Sequence, residues 1–290
     1  MKCLKIGFYV VLGMGIFSCA RTMTQEQCYG VKEQVEAYKQ SSSLQKNWGG
    51  ELLSRHQFKN DEKVIEVGCG AGRDAAYVAQ LVPQGEVCAI DISKQMISDA
   101  VKNYPHEQYI NLGFAHRSIL EITVKDFFNV AFSCCCLHGL SPDDHKMALG
   151  NIYKSLVEGG TFLFVGPGSN EQGVFLIAKK LSQSEKWASV FENFSCSRSY
   201  YTAQEYTELL NNTGFKLCEV TETAVQTPFE NKDALCTWIV GRSPYVQYLQ
   251  NEQREQFLDD LVEQVLVYSP EDDEGKIMLN SIKLEVIAVK

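Results

Sequence analysis

Apolar positions in this chain fall into short β-branched runs, and between the runs they recur at helical spacing. Residues 64–67, 86–91, 127–133 and 161–165 are such runs. Their length and Val, Ile and Phe content predict buried strands. Helices are expected after Gly72, from about Ser93, and over 143–157, where Glu158-Gly159-Gly160 supplies the stop. Strand alternating with helix predicts an α/β fold, a Rossmann-like doubly wound sheet. A further helix is expected over 202–213 and a late strand over 215–220. The junction Gly166-Pro167-Gly168-Ser169-Asn170 marks where the fifth strand gives way to an inserted cap. No internal repeat, heptad run or low-complexity segment interrupts the pattern.

The first strand ends in an unusual way. Val64-Ile65-Glu66-Val67 runs into Gly68-Cys69-Gly70-Ala71-Gly72, and the helix-forming stretch follows at once. Glycine removes the side chains that would keep a ligand off the backbone of such a turn. A dinucleotide loop reads G-x-G-x-x-G, with pyrophosphate on the helix amides. Here the third glycine comes one residue early, and Glu66 would repel pyrophosphate while attracting an ammonium. Asp91 ends the second run roughly 20 residues beyond the glycines, where an acid can take both ribose hydroxyls; that role serves NAD and S-adenosylmethionine equally.

Taken in order, the glycine turn, the Asp91 strand, the 127–133 strand and the Gly159-Gly160 strand resemble motifs I, II, IV and V of class I S-adenosylmethionine methyltransferases. The stretch 233–245, with "EQREQFLDD" from Glu252, is similar to the tail of trans-aconitate methyltransferases, and "GKIMLNSIKLEVIAVK" to their closing hairpin. Tyr38 followed by "SSSLQKNWGGELL" resembles the N-terminal helical cover of related enzymes, including juvenile hormone acid methyltransferases. The likeness spans about residues 30–290 and is weakest over 168–203. It implies seven strands with the last antiparallel, a helical cap, and S-adenosylmethionine as cofactor. After a signal-like or misassigned leader over 1–22, the parts expected are the N-terminal helical cover over 23–60, the cofactor core over 61–167, the cap over 168–202, and substrate-side helices with the rest of the sheet over 203–290.

On that resemblance the cofactor contacts fall on Gln45, Glu66, Gly68, Cys69, Gly70, Gly72, Asp91, Ile92, Met96, Ser118, Ile119 and Ser133. The substrate contacts fall on Tyr38, Trp48, His138, Arg198, Trp238 and Arg242. Two departures stand out: Ser118 replaces the family's usual aspartate, and Gly139 follows His138 where an aromatic is common. Three roles are open for His138: a hydrogen bond to substrate, satisfaction of loop carbonyls, or a general base for an amine or phenol. Arg198 or Arg242 could anchor an anion by its fork or form a surface ion pair. Trp48 and Trp238 could wall a site or simply pack, and Tyr38 and Gln45 could close over the cofactor or only cover the core. His106, His116 and His145 read as surface histidines, and Arg73 and Asp74 as part of a helix start.

The function expected is methylation of a small molecule, most plausibly an ester on a carboxylate of trans-aconitate type. Alternatives are a carrier-bound acyl group, another N or O acceptor, or a binding protein without turnover. A net charge of −9 over 290 residues argues against a nucleic-acid partner, yet a local arginine can still hold an anionic substrate. Eleven cysteines lack metal-ligand spacing with histidines, so no metal site is expected and free thiols in a reducing compartment are. Lys2 and Lys5 precede an apolar run to Phe17, then Ser18-Cys19, the layout of a secretory or lipoprotein signal. The run is short for a span, and with Met23 as an alternative start a cytoplasmic enzyme is expected.

Overall fold

The computed structural model describes residues 43–290, with side chains from Trp48 onward. The leader over 1–22 and Tyr38 lie outside the described residues, as does the side chain of Gln45. The elements are α1 (Ser43–Ser54), β1 (Lys63–Val67), α2 (Arg73–Leu81), β2 (Glu86–Asp91), α3 (Lys94–Asn103), β3 (Leu112–His116), β4 (Phe128–Cys134), α4 (Pro142–Ser155), β5 (Leu156–Pro167), α5 (Val174–Ser182), α6 (Ala203–Thr213), β6 (Lys216–Phe229), α7 (Lys232–Val240), α8 (Pro244–Tyr248), α9 (Asn251–Tyr268) and β7 (Ile277–Val289).

The seven strands form one sheet in the order β3-β2-β1-β4-β5-β7-β6. β7 runs antiparallel to both of its neighbours, so the expected Rossmann-like architecture is present. Strand order reverses between β1 and β4, and such switch points are where open α/β sheets bind ligands.

Alternation along the strands builds two cores, one on each face. Ile65 and Val67 of β1 join Ala131, Phe162 and Phe164 with the apolar sides of α4 and α6. Val64, Val130, Phe132, Leu163 and Val165 face the other way, against α1 and α2. A third cluster unites α5, α7, α8 and α9 with the ends of β6 and β7. Local chemistry fixes the helix starts: the Ser93 hydroxyl accepts from Met96 N–H, Ser141 caps α4 ahead of Pro142, and Thr202 with Glu205 makes a capping box on α6.

Three segments depart from the sequence reading. β5 starts at Leu156, before the glycine pair; its pairing with β4 jumps from Phe128↔Leu156 to Val130↔Thr161, and Gly159 at φ 76° takes up the extra residues. β6 runs to Phe229, because polar alternation through Thr221-Glu222-Thr223 belongs to a solvated strand. The segment from Gly275 is no hairpin by itself: β7 is one strand, and its partner β6 lies before α7, α8 and α9. β7 meets β5 only from Lys283 onward. Among the strands, residues 277–282 therefore pair with β6, as a two-stranded ribbon beyond the end of the sheet, with a single bridge from Ile277 to Glu271. No helix among the described residues is long and apolar enough to cross a membrane.

Candidate active site

The turn after β1 is built by backbone, and beneath it lie two acids, Glu66 buried and Asp91 half-buried. Gly68 N–H and Cys69 N–H both donate to Ile90 O, at 2.8 and 3.0 Å. Gly68, Gly70 and Gly72 have φ of 76°, 53° and 87°, a region that suits glycine. A Cβ on Gly68 would lie 2.3 Å from Cys136 Sγ, and one on Gly72 would lie 2.7 Å from Phe114. One on Gly70 would meet nothing within 4 Å. Gly68 and Gly72 are thus closed in by protein, whereas Gly70 faces open space.

Asp91 is half-buried, and its two oxygens accept from Gly70 N–H and Ser93 N–H at 2.8 Å each. Burial raises its carboxyl above the ordinary value against those two bonds. Glu66 is 3% exposed, and its Oε2 has no hydrogen-bond partner. Burial, and then the charges of Asp74 and Asp91, push its carboxyl well above the usual range. A buried oxygen without a donor is costly. A cationic ligand would supply the donor and restore the ionised form. The glycine cradle, the orphan Glu66 oxygen and the Asp91 oxygens therefore fit the ammonium and the diol of S-adenosylmethionine.

The other expected cofactor residues take mixed places. Cys69 and Met96 are buried beside the turn, and Ile92 O pairs with His116 Nε2 at 2.8 Å. Ser133 donates to Val67 O at 2.9 Å, which clips β1 to β4 at the switch point. Ser118 accepts from Leu120 N–H as the cap of a single turn over Ile119–Glu121, and Ile119 packs in the main core.

The Cys134-Cys135-Cys136 run joins this turn to a cavity. Cys136 packs on Gly68. Cys135, in the left-handed region at φ 50°, lines a cavity of about 160 Å³. Among the described residues no cysteine is in a disulfide. His138, Trp48, Arg198, Trp238 and Arg242 all line this cavity, so five expected substrate residues from four separate parts of the chain converge. Phe175, Tyr200 and Asn280 also line it; their positions alone gave no signal, because cap and ribbon had to be folded first. No Asp or Glu is among the described residues lining it.

The two arginines are held by aromatics and carbonyls. Arg198 lies over the Phe175 ring at 5.1 Å and donates to Arg242 O at 3.0 Å. Arg242 lies over the Trp238 ring at 4.9 Å. His138 is half-buried, and its buried Nδ1 has no hydrogen-bond partner among the described residues. Burial first, then the charges of Arg198, His145 and Arg242, lower its pKa to about 3, so its imidazole is neutral at physiological pH and a weak base.

His145 corrects the sequence reading: it is 1% exposed. Its Nδ1 lies 3.1 Å from Leu137 O and 2.9 Å from Ser199 Oγ, and its Nε2 lies 3.0 Å from Tyr206 Oη. Burial lowers its pKa to about 4. Through Leu137 and Ser199, the neighbours of His138 and Arg198, it ties the loop after β4 to the cap; Ser199 N–H also donates to His138 O at 3.1 Å. His106 and His116 are exposed, as expected. Arg73 and Asp74 form an ion pair at 2.6 Å where α2 begins.

Comparison with known proteins agrees with this geometry. Residues 58–214 match the profile of a family described as a methyltransferase domain. Juvenile hormone acid O-methyltransferase of Drosophila melanogaster is 29% identical over 289 residues, covering 91% of each chain. Trans-aconitate 2-methyltransferase of Rhodopseudomonas palustris is 22% identical over 243 residues, covering 83% of this chain and 92% of its own. Phosphoethanolamine N-methyltransferase 2 of Haemonchus contortus, solved with phosphomonomethylethanolamine and S-adenosylhomocysteine, superposes with a TM-score of 0.60 at 17% identity, over 90% of this chain and 58% of that one.

Proposed function

This chain belongs to the methyltransferase-domain family, and we propose that it methylates the carboxylate of a small amphipathic acid. It is an enzyme, and S-adenosylmethionine is its cofactor. When bound, that cofactor supplies a methyl group activated by a positively charged sulfur. In our reading Glu66 takes the ammonium, Asp91 takes the ribose hydroxyls, and the Gly68–Gly72 backbone cradles the molecule.

One observation supports the acceptor assignment: the guanidinium groups of Arg198 and Arg242 and a neutral histidine line one cavity with the apolar Phe175, Leu176, Trp238 and Ile239, and its described lining includes no Asp or Glu. A carboxylate is already ionised at neutral pH, so it needs no base to become a nucleophile. Arg198 and Arg242 hold and orient it. His138 contributes through the open Nδ1 position and takes up no proton. Trp48 and Trp238 exclude water. Orientation of this kind is worth about 7–11 kcal/mol, and here it is the main catalytic device.

Apolar walls from Val174, Phe175, Leu176, Ile239, Leu279 and Ile282 favour one carboxylate with a hydrocarbon body. A tricarboxylate such as trans-aconitate would set further charges against those walls, at a cost that the single cationic pole does not offset. The test is incubation with S-adenosylmethionine and a panel of aliphatic monocarboxylic acids, trans-aconitate and primary amines, read by mass spectrometry. Methyl esters of the monocarboxylic acids are expected. Esters of trans-aconitate alone would sink the amphipathic assignment, and methylated amines would sink the carboxylate assignment.

A further inference from the structure

A second cavity, of about 340 Å³, lies beyond the first and is lined by Lys179, Ser182, Phe191, Phe194, Cys196 and Tyr245. Three chain segments run from one cavity to the other. α5 lines the acceptor cavity with Val174, Phe175 and Leu176 and the second with Lys179 and Ser182. The extended stretch before α6 gives Cys196 to the second cavity and Arg198 and Tyr200 to the first. The start of α8 gives Ser243 to the first and Tyr245 to the second. The two spaces are therefore neighbours along three independent walls.

What divides them is aromatic. The Tyr245 ring, 4% exposed, stands 5.6 Å from the Phe175 ring. Phe175 in turn meets Tyr200 at 5.3 Å on the acceptor side. On the far side Tyr245 meets Phe194 at 4.8 Å and Phe191 at 5.7 Å. Among the described residues, the Phe175–Tyr245 pair is the one ring-to-ring link between a residue lining the first cavity and one lining the second. Tyr245 comes from the first turn of the short α8 and backs the Phe175 ring that lines the acceptor cavity.

We propose that Tyr245 is the chain-length determinant of the acceptor, closing the carboxylate-binding cavity against the second one. This rests on the carboxylate reading above. An acid enters with its head at Arg198 and Arg242, and its hydrocarbon body can extend only as far as the Phe175–Tyr245 wall. Removing the ring joins the two spaces and admits a longer body.

The experiment measures kcat/KM for ester formation over a series of straight-chain monocarboxylic acids of increasing length. Wild-type enzyme is expected to show a cut-off. Tyr245→Ala and Tyr245→Leu should move it to longer acids, raising kcat/KM for the first excluded member by at least about tenfold, the scale on which apolar pockets discriminate by size. Tyr245→Trp should move it to shorter acids. Titration of S-adenosylmethionine into each variant confirms a folded cofactor site, and the Leu and Trp variants decide the matter where Ala fails to fold. A cut-off that stays put in folded variants, or a wild-type series without one, overturns the gate alone. Wild-type enzyme that forms no ester from any acid overturns the carboxylate reading, and the gate with it.

Discussion

The glycine turn offers a pair of substitutions that separate fold from cofactor binding. Gly68→Ala puts a methyl group 2.3 Å from Cys136 Sγ and 2.4 Å from its Cβ, at φ 76°. The left-handed backbone costs an L residue about 1–2 kcal/mol, and forcing a methyl into packed surroundings adds about 1–3 kcal/mol. Gly70→Ala shares only the first cost, since its methyl group meets nothing within 4 Å. That strain is present with and without ligand, so it cancels from the binding constant. A change in affinity at Gly70 therefore reports whether the open space belongs to the cofactor. Calorimetric titration of S-adenosylmethionine, alongside thermal unfolding, reads both quantities. The expected result is a large fall in melting temperature for Gly68→Ala. For Gly70→Ala a small fall is expected, with at least about a tenfold loss of affinity, or 1.4 kcal/mol. Unchanged affinity in Gly70→Ala would refute the placement of the cofactor on this turn.

Glu66→Gln should also separate the two readouts. The Glu66 carboxyl is raised by burial, so its ionisation costs stability as pH rises through its folded value. Glutamine should then hold or raise the melting temperature at pH 7.5 while weakening S-adenosylmethionine; a lower melting temperature with unchanged affinity contradicts the role. His145 has the opposite sign: its pKa falls from 6.5 to about 4, so the stability it contributes is full above pH 6.5 and is lost as pH falls toward 4, on the order of 3 kcal/mol. Melting curves between pH 7 and 4 should be flatter for His145→Gln than for wild type, and parallel curves would remove His145 as the titrating group. Arg242→Gln should raise the acceptor KM by about tenfold or more, the scale of a lost charge-assisted hydrogen bond. Its affinity for S-adenosylmethionine should not change, and an unaltered KM would take Arg242 out of the acceptor site.

What was legible in the sequence was local chemistry. The glycine turn and Asp91 announce themselves because backbone conformation and a strand-end acid leave their mark within a few residues. The convergence of Trp48, His138, Arg198, Trp238 and Arg242 on one cavity was legible only as separate candidates; folding of cap and ribbon brings them together. His145 was misread although a signal was present. With Ala148, Leu149 and Ile152 it completes the buried i, i+3, i+4, i+7 stripe of α4, and a polar residue on such a stripe calls for buried partners. Ser118 was legible only as a cofactor candidate, and its hydroxyl also caps the turn that follows. β6 was cut short because its outer half is a solvated ribbon in which alternating threonine and glutamate imitate a loop. The second cavity had no sequence signature, since its wall comes from residues 179–196, where the family likeness is weakest, closed by the distant Tyr245.

The central claim is that a carboxylate oxygen, fixed by Arg198 and Arg242, receives the methyl group. The most direct measurement uses S-adenosylmethionine labelled in that methyl, with the enzyme and a mixture of aliphatic acids, followed by mild alkali. Esters hydrolyse under these conditions, so the account predicts acid-dependent label that is released as volatile methanol. Label that withstands alkali would place the methyl on nitrogen, carbon or an ether oxygen and contradict it.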